Sequence, residues 1–224
     1  LVMGAPRSGR GRSNTACAML AALRACGRAP CAFKGGSDYI APMFHRAVRG
    51  VPSQNLDLFF STPQTGRRLY TSGAAGHGSA VCEGAMGYYD GLGGVSAAAS
   101  AWHTADVLDL PVLLVVRPKG ASLTLAAQLQ GLKAFRTPHH IAGVLLNDCT
   151  EMLYKLLAPM LERESGLPVV GFLLGYFLTE GLMSEGWRYA AAVIAAAVFF
   201  LPSVFYDRQT KKDGSLTYTI LRLF

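Results

Sequence analysis

The sequence predicts an α/β fold, a doubly wound and mostly parallel sheet followed by a hydrophobic C-terminal helix. Three observations carry this. Residues 111–116 and 141–147 are near-continuous aliphatic runs, as expected of strands buried on both faces of a parallel sheet. Helix-period stretches alternate with such runs, which is the pattern of βαβ units. The chain also opens with a short apolar run, a glycine-rich turn and a helix with Ala16, Met19, Leu20 and Leu23 on one face.

That opening has the layout of a phosphate-binding loop, so the sheet is expected to be of P-loop NTPase type. In Pro6–Arg7–Ser8–Gly9–Arg10–Gly11–Arg12–Ser13 the glycines let the backbone bend around an anion. The N–H groups at the helix start, aided by the helix dipole, then point at it. The usual signature ends in glycine, lysine and a hydroxyl residue. Here Arg12 occupies the lysine position, and arginine is a longer, planar fork and no equivalent of a compact ammonium. The plainer reading of this stretch is a strand–turn–helix connection with surface arginines.

The remaining elements follow in order. Residues 31–34 read as a strand, and residues 35–45 as a loop rich in turn formers and functional side chains. In open α/β sheets ligands bind at the carboxyl ends of strands, where this loop would lie. Residues 52–57 read as a second structured loop, 62–70 as a short helix, and 79–82 as a strand ending at Glu83. A carboxylate there, beside a phosphate loop, is the usual place for a magnesium-organising acid. Residues 85–94 are too rich in glycine for core packing and read as a loop covering a ligand. Helices are expected at 96–107, 123–135 and 152–163, and a last strand at 167–172. For Asp38 the plainer role is a cap or turn, and for His45 a partly buried surface histidine.

Composition narrows the function classes. The chain has 224 residues, 51% hydrophobic and 16% charged, enough for one sizeable core and unlike a disordered protein. Its net charge of +7 suits a polyanionic ligand, but the arginines are scattered and form no basic stripe of the kind that tracks nucleic acid. Five dispersed cysteines without C-x-x-C spacing read as reduced cytoplasmic thiols, not as a disulfide framework or a zinc site.

Four stretches carry a specific resemblance. They are Ser8–Gly9–Arg10–Gly11–Arg12–Ser13; Phe33–Lys34–Gly35–Gly36–Ser37–Asp38–Tyr39–Ile40–Ala41–Pro42–Met43–Phe44–His45; Pro52–Ser53–Gln54–Asn55–Leu56–Asp57; and Cys82–Glu83–Gly84–Ala85–Met86–Gly87–Tyr88–Tyr89–Asp90–Gly91. In order and spacing they resemble the N-terminal, ATP-dependent synthetase domain of the cobyrinate a,c-diamide synthases, relatives of dethiobiotin synthetase within the P-loop superfamily. The likeness runs through Asn147 to about Phe172, roughly three quarters of the chain.

The resemblance implies an ATP-dependent carbon–nitrogen ligase of the glutamine amidotransferase type, acting in cobalamin biosynthesis. ATP would phosphorylate the a and c acetate carboxylates of cobyrinate, and ammonia would displace the phosphate. Related tetrapyrroles, hydrogenobyrinate or a nickel sirohydrochlorin, are alternatives. By the same resemblance Gly9, Arg10, Gly11, Arg12 and Ser13 hold the nucleotide, with Asn147 at the adenine. Ser13, Asp38 and Glu83 would organise Mg2+, with Lys34, Asp38 and Glu83 catalytic. Tyr39, His45, Asn55, Asp57, Tyr89 and Asp90 would receive the substrate. Four departures weaken the expected enzyme: Arg12 for lysine, Ala41 for a second acid, Ser37 for proline and Arg117 for aspartate.

The likeness ends near Leu174, before the glutaminase part with its cysteine and histidine, so ammonia is expected from a separate source. Domains are accordingly drawn at 1–174 and 175–224. Residues 189–206 are apolar and uncharged, about 18 residues and near the lower limit for a membrane span. Membrane anchoring of a cytoplasmic protein, a buried helix, or non-native sequence are the readings of this run. A homodimer is left open. The competing class is a non-catalytic nucleotide-binding module tethered to the membrane, similar to a partitioning-type ATPase.

Overall fold

The computed structural model describes residues 1–174. The expected hydrophobic helix at 189–206, the tail at 207–224 and the second domain lie outside the described residues. Among the described residues no helix is long and apolar enough to cross a membrane.

Seven strands form one sheet in which every pairing is parallel, in the order β3-β2-β4-β1-β5-β6-β7. The opening strand β1 (Val2–Gly4) is central, between β4 (Ser79–Glu83) and β5 (Val112–Val116). Outward from β4 come β2 (Pro30–Gly35) and the edge strand β3 (Ser53–Leu56); outward from β5 come β6 (Ile141–Asn147) and the other edge, β7 (Val169–Leu173). The aliphatic runs in β5 and β6 are buried because helices and neighbouring strands enclose them, as their patterns predict.

Six helices lie between the strands among the described residues. On one face α1 (Arg12–Ala25) packs Ala16 and Leu20 against Met3, Ala32, Val81 and Val115, with α2 (Ile40–Arg49) beside it. The other face carries α3 (Pro63–Ala74), α4 (Ala101–Leu108), α5 (Leu123–Phe135) and α6 (Glu151–Ser165), packed on Phe33, Cys82, Leu114 and Leu146. Hydroxyls cap three of these helices: Thr62, Ser100 and Thr150 each accept from the backbone N–H three residues on. By contrast, α1 begins at Gly11 with no side-chain cap and no acid in its first turn. Its first N–H groups are left for another acceptor.

Three expectations are corrected. Residues 40–45, expected within the 35–45 loop, form the first part of α2; Pro42 falls in the first turn, where proline is tolerated. Residues 52–57 contain β3, a polar edge strand whose position is set by pairing with β2 through Phe33↔Gln54 and Lys34↔Asn55. The glycine-rich stretch 85–94 does contribute to the core. Tyr88 is fully buried, its ring against Gly4, where a Cβ would approach Tyr88 Cδ2 to 2.9 Å, and its hydroxyl donates to the His139 carbonyl at 2.5 Å. Smaller shifts are a later start for α4, at Ala101, and a longer α3, to Ala74.

All five cysteines are free thiols. Burial pushes Cys82 up to about 12 and Cys17 up to about 11, so neither is a ready nucleophile at neutral pH.

His45 is an interior residue, 1% exposed on α2, with Nδ1 3.1 Å from Ser53 Oγ of β3. Burial holds its pKa below the ordinary 6.5, against the opposing pull of Glu83. The neutral ring is therefore the folded form, and the unfolded chain takes up a proton first as pH falls.

Two outcomes follow from this packing. Tyr88→Phe leaves the His139 carbonyl without its donor and is expected to cost about 1–3 kcal/mol, read as a lower urea midpoint at unchanged slope. Stability is expected to decline as pH drops below about 6.5, the unfolded imidazole value. In His45→Asn that decline is shallower when urea midpoints at about pH 7.5 and about pH 5.5 are compared. An identical decline in the variant removes His45 as its source.

Candidate functional site

At the carboxyl end of the sheet, the ends of β1, β2 and β4 lie side by side. The chain from Ala5 to Gly11 turns over them before α1 begins. Gly9 and Gly11 have φ of 75° and 77°, the left-handed region that glycine enters without strain. Gly11 has a second reason to lack a side chain, because a Cβ there would lie 2.1 Å from Asn147 Nδ2. That same amide nitrogen donates to the Arg10 carbonyl at 2.9 Å, while Asn147 Oδ1 is buried without a partner.

Beneath the loop lies Glu83, 1% exposed at the end of β4. Register places it beside Met3 of β1 and Lys34 of β2. Its Oε1 accepts from Ser13 Oγ at 2.5 Å and from Lys34 Nζ at 2.6 Å, and Arg12 Nε is 4.0 Å away. Lys34 is 6% exposed, so this is an interior ion pair. Glu83 Oε2 is buried and has no partner. A bare carboxylate oxygen in the interior is costly unless something charged or hydrogen-bonding meets it.

Lys34 also reaches toward the next loop, with Nζ 3.7 Å from Asp38 Oδ2. Asp38 Oδ1 accepts from the backbone N–H groups of Ile40 at 2.9 Å and Ala41 at 3.3 Å. The plainer reading of Asp38 as a cap thus describes one of its oxygens, and the other faces Lys34. Ser37, in the proline position of the resemblance, donates to Asp57 Oδ2 at 2.6 Å, and Asp57 Oδ1 accepts from the Phe59 N–H at 2.8 Å. Asp57 therefore ties the loops after β2 and β3 together. Asn55 sits opposite Lys34 in the β2–β3 register, its Oδ1 buried without a partner.

Asp90 Oδ2 accepts from the Gly87 N–H at 3.1 Å and closes the turn at 87–90. This turn abuts the phosphate-type loop: a Cβ on Gly87 would lie 2.9 Å from the Pro6 carbonyl. Arg12 joins the same region, with Nη1 donating to the Met86 carbonyl at 2.5 Å. Burial lowers the Arg12 pKa, partly offset by Glu83.

The sequence-selected residues thus divide. Gly9, Arg10, Gly11, Arg12, Ser13, Lys34, Asp38, Glu83 and Asn147 come together at the strand ends. Tyr39 is 75% exposed at the start of α2. His45 lies in the interior behind the cluster and presents no ring edge to solvent. Tyr89 points elsewhere, donating to the Leu132 carbonyl of α5 at 2.7 Å and packing on Phe135. An ion pair that sequence reasoning missed stands at the ends of β5 and β6: Arg117 Nε donates to Asp148 Oδ2 at 2.6 Å. Each residue follows the last residue of its strand, β5 and β6, and opposite charges at adjacent parallel strand ends were the available signal.

The residues fit a nucleotide-borne Mg2+. That ion keeps several waters and typically takes one or two protein oxygens together with phosphates. Glu83 Oε2, bare and buried, and Ser13 Oγ beside it are such oxygens.

The chain is 39% identical over 171 residues to the cobyrinate a,c-diamide synthase of Gloeobacter violaceus, covering 76% of this chain and 38% of that protein. It is 37% identical over 175 residues to the hydrogenobyrinate a,c-diamide synthase of Mycobacterium bovis, with the same coverage of each. The chain therefore spans well under half the length of these curated relatives. No family model matches it. Among solved structures, chloroplast FtsY from Physcomitrella patens superposes with a TM-score of 0.50 over 75% of this chain and 56% of that one, at 14% identity, which is a likeness of fold. With a parallel sheet of P-loop NTPase type and this sequence identity, the chain belongs to the cobyrinate and hydrogenobyrinate a,c-diamide synthase family.

Proposed function

We propose that this domain is the synthetase part of an amide-forming ligase, using ATP to activate carboxylates of a cobyrinate-type tetrapyrrole. The supporting observation is the buried Glu83–Lys34 ion pair, to which the exposed Ser13 hydroxyl donates, under a glycine loop that leads into an uncapped helix. A substrate carboxylate oxygen attacks the γ-phosphorus, ADP leaves, and the acyl phosphate forms. Ammonia then attacks the acyl carbon, phosphate departs, and the amide remains. Bound Mg2+ would supply charge neutralisation at the phosphate oxygens.

The chain's own residues position and neutralise more than they react. N–H groups of residues 9–13 receive phosphate oxygens, assisted by the α1 dipole. Lys34 stands between Glu83 and Asp38 and can follow negative charge as it develops on the transferring phosphoryl group. The acceptor approaches over the exposed start of α2, where Tyr39, Ile40 and Met43 are 75%, 62% and 60% exposed and offer an apolar surface to a flat macrocycle.

Two observations favour a weakened enzyme or a nucleotide-binding module. The Arg12 guanidinium is engaged by the Met86 carbonyl and lies beside Glu83, and Ala41 supplies no second carboxylate near Asp38. Losing one transition-state charge contact typically costs ~100-fold in rate.

The deciding experiment measures ATP binding with magnesium by calorimetry and ammonia-dependent amidation of cobyrinate by mass spectrometry. It compares the parent chain with an Arg12→Lys, Ala41→Asp double variant. The variant is expected to amidate ~100-fold faster or more. Equal rates show that arginine suffices in the loop, and absence of ATP binding by both defeats the ligase reading. Glu83→Gln is expected to abolish measurable amidation. It also strands the Lys34 charge, so its stability should fall by about 3–5 kcal/mol in urea titration.

A further inference from the structure

The Asn147 side chain bonds to the backbone of the glycine loop. It stands at the end of β6, 5% exposed, and reaches over β5 to the glycine loop. Its amide N–H donates to the Arg10 carbonyl at 2.9 Å, a contact between residues 137 positions apart. It also lies so close to Gly11 that a Cβ there would be 2.1 Å from the amide nitrogen.

A trans peptide is planar, and its C=O and N–H point in opposite directions. Fixing the Arg10 carbonyl toward Asn147 therefore turns the Gly11 N–H away from it. With Gly9 and Gly11 both left-handed, this peptide would otherwise be free to rotate between alternatives that glycine tolerates. We propose that Asn147 is a positioning residue for the phosphate loop, holding the Arg10–Gly11 peptide so that the Gly11 N–H faces the bound anion. This rests on the phosphate-binding reading above. It differs from a base contact in a measurable way, because a brace on the loop serves every polyphosphate, with or without a base.

The test uses the full chain and two variants. Asn147→Ala removes the amide, and Asn147→Asp keeps its shape while replacing the donor with a carboxylate that repels the Arg10 carbonyl. Calorimetry measures binding of ATP, GTP and tripolyphosphate with magnesium. Hydrogen exchange followed by mass spectrometry reports on residues 8–13 without ligand. Both variants are expected to weaken all three ligands by the same factor, about tenfold, the worth of one hydrogen bond. Both should also speed exchange in the loop. Loss confined to ATP, with tripolyphosphate unaffected, overturns the proposal in favour of a base contact. Wild-type behaviour in Asn147→Asp overturns it in favour of space filling. Unchanged exchange overturns the brace whatever the affinities. A wild-type chain that binds none of the three ligands, while exchange still responds, overturns the phosphate-binding reading instead. If Asn147→Ala does not fold, the isosteric Asn147→Asp decides alone.

Discussion

A carboxylate that is 1% exposed at the end of a central strand constrains everything around it. Burying an isolated charge costs several kcal/mol even after relaxation, so Glu83 must be met by a cation and by donors. Lys34 meets it only because β2 and β4 are parallel and in the register that sets Lys34 beside Glu83. Both residues follow by two positions the residues Ala32 and Val81 that pack under α1, so their side chains emerge on the α1 face, where Ser13 begins the helix. A slip of one residue in either strand would turn one charge toward the opposite core, against Leu114 and Leu146. Strand register and site geometry are therefore the same requirement.

The acids of the surrounding loops are largely used within the protein. Asp57 joins two loops, Asp90 closes a turn, and Asp38 caps α2 with one oxygen. These contacts fix the loops around the strand ends without a ligand, which favours preorganisation. They also leave Glu83 Oε2 as the buried acidic oxygen without a protein partner. Arg12 adds a strut of a different kind. A lysine ammonium is a compact point charge, whereas the guanidinium fork spans from the loop to the Met86 carbonyl and ties α1 to the residue 84–90 segment. Rigidity is gained where a mobile cation is the usual arrangement.

Legibility in the sequence follows the range of each signal. The β5 and β6 runs and the α5 and α6 periodicities are local, and the structure matches them within a residue or two. The edge strand β3 was not legible because Ser53, Gln54 and Asn55 carry no apolar run; its partner strand supplies its order. Tyr88 looked like a loop residue because its burial depends on Gly4, 84 positions earlier, having no side chain. For the site, residue types were legible and contacts were not. Ser13 and Glu83 are 70 positions apart, Lys34 and Glu83 49, and nothing in either local pattern states that they touch. His45 and Tyr89 stood in the most specific stretches, yet their side chains turn to Ser53 and to the Leu132 carbonyl. A motif specifies the backbone path of a loop, and side chains such as Asp57 and Asp90 serve that path.

The two unpartnered oxygens near the glycine loop separate its two jobs. Glu83 Oε2 belongs to the end of β4 and Asn147 Oδ1 to the end of β6. Each is buried without a partner while its companion atom holds a protein group, Oε1 holding Ser13 and Lys34, and Nδ2 holding Arg10. An unsatisfied buried acceptor costs roughly 1–3 kcal/mol, and two flanking one loop are a cost that packing alone does not explain. Glu83 Oε2 would gain a partner when a cation enters beside the loop, and part of the cost of folding this end of the sheet would then be returned. Such an arrangement would be less stable empty than filled, in keeping with the phosphate-binding reading proposed for the loop.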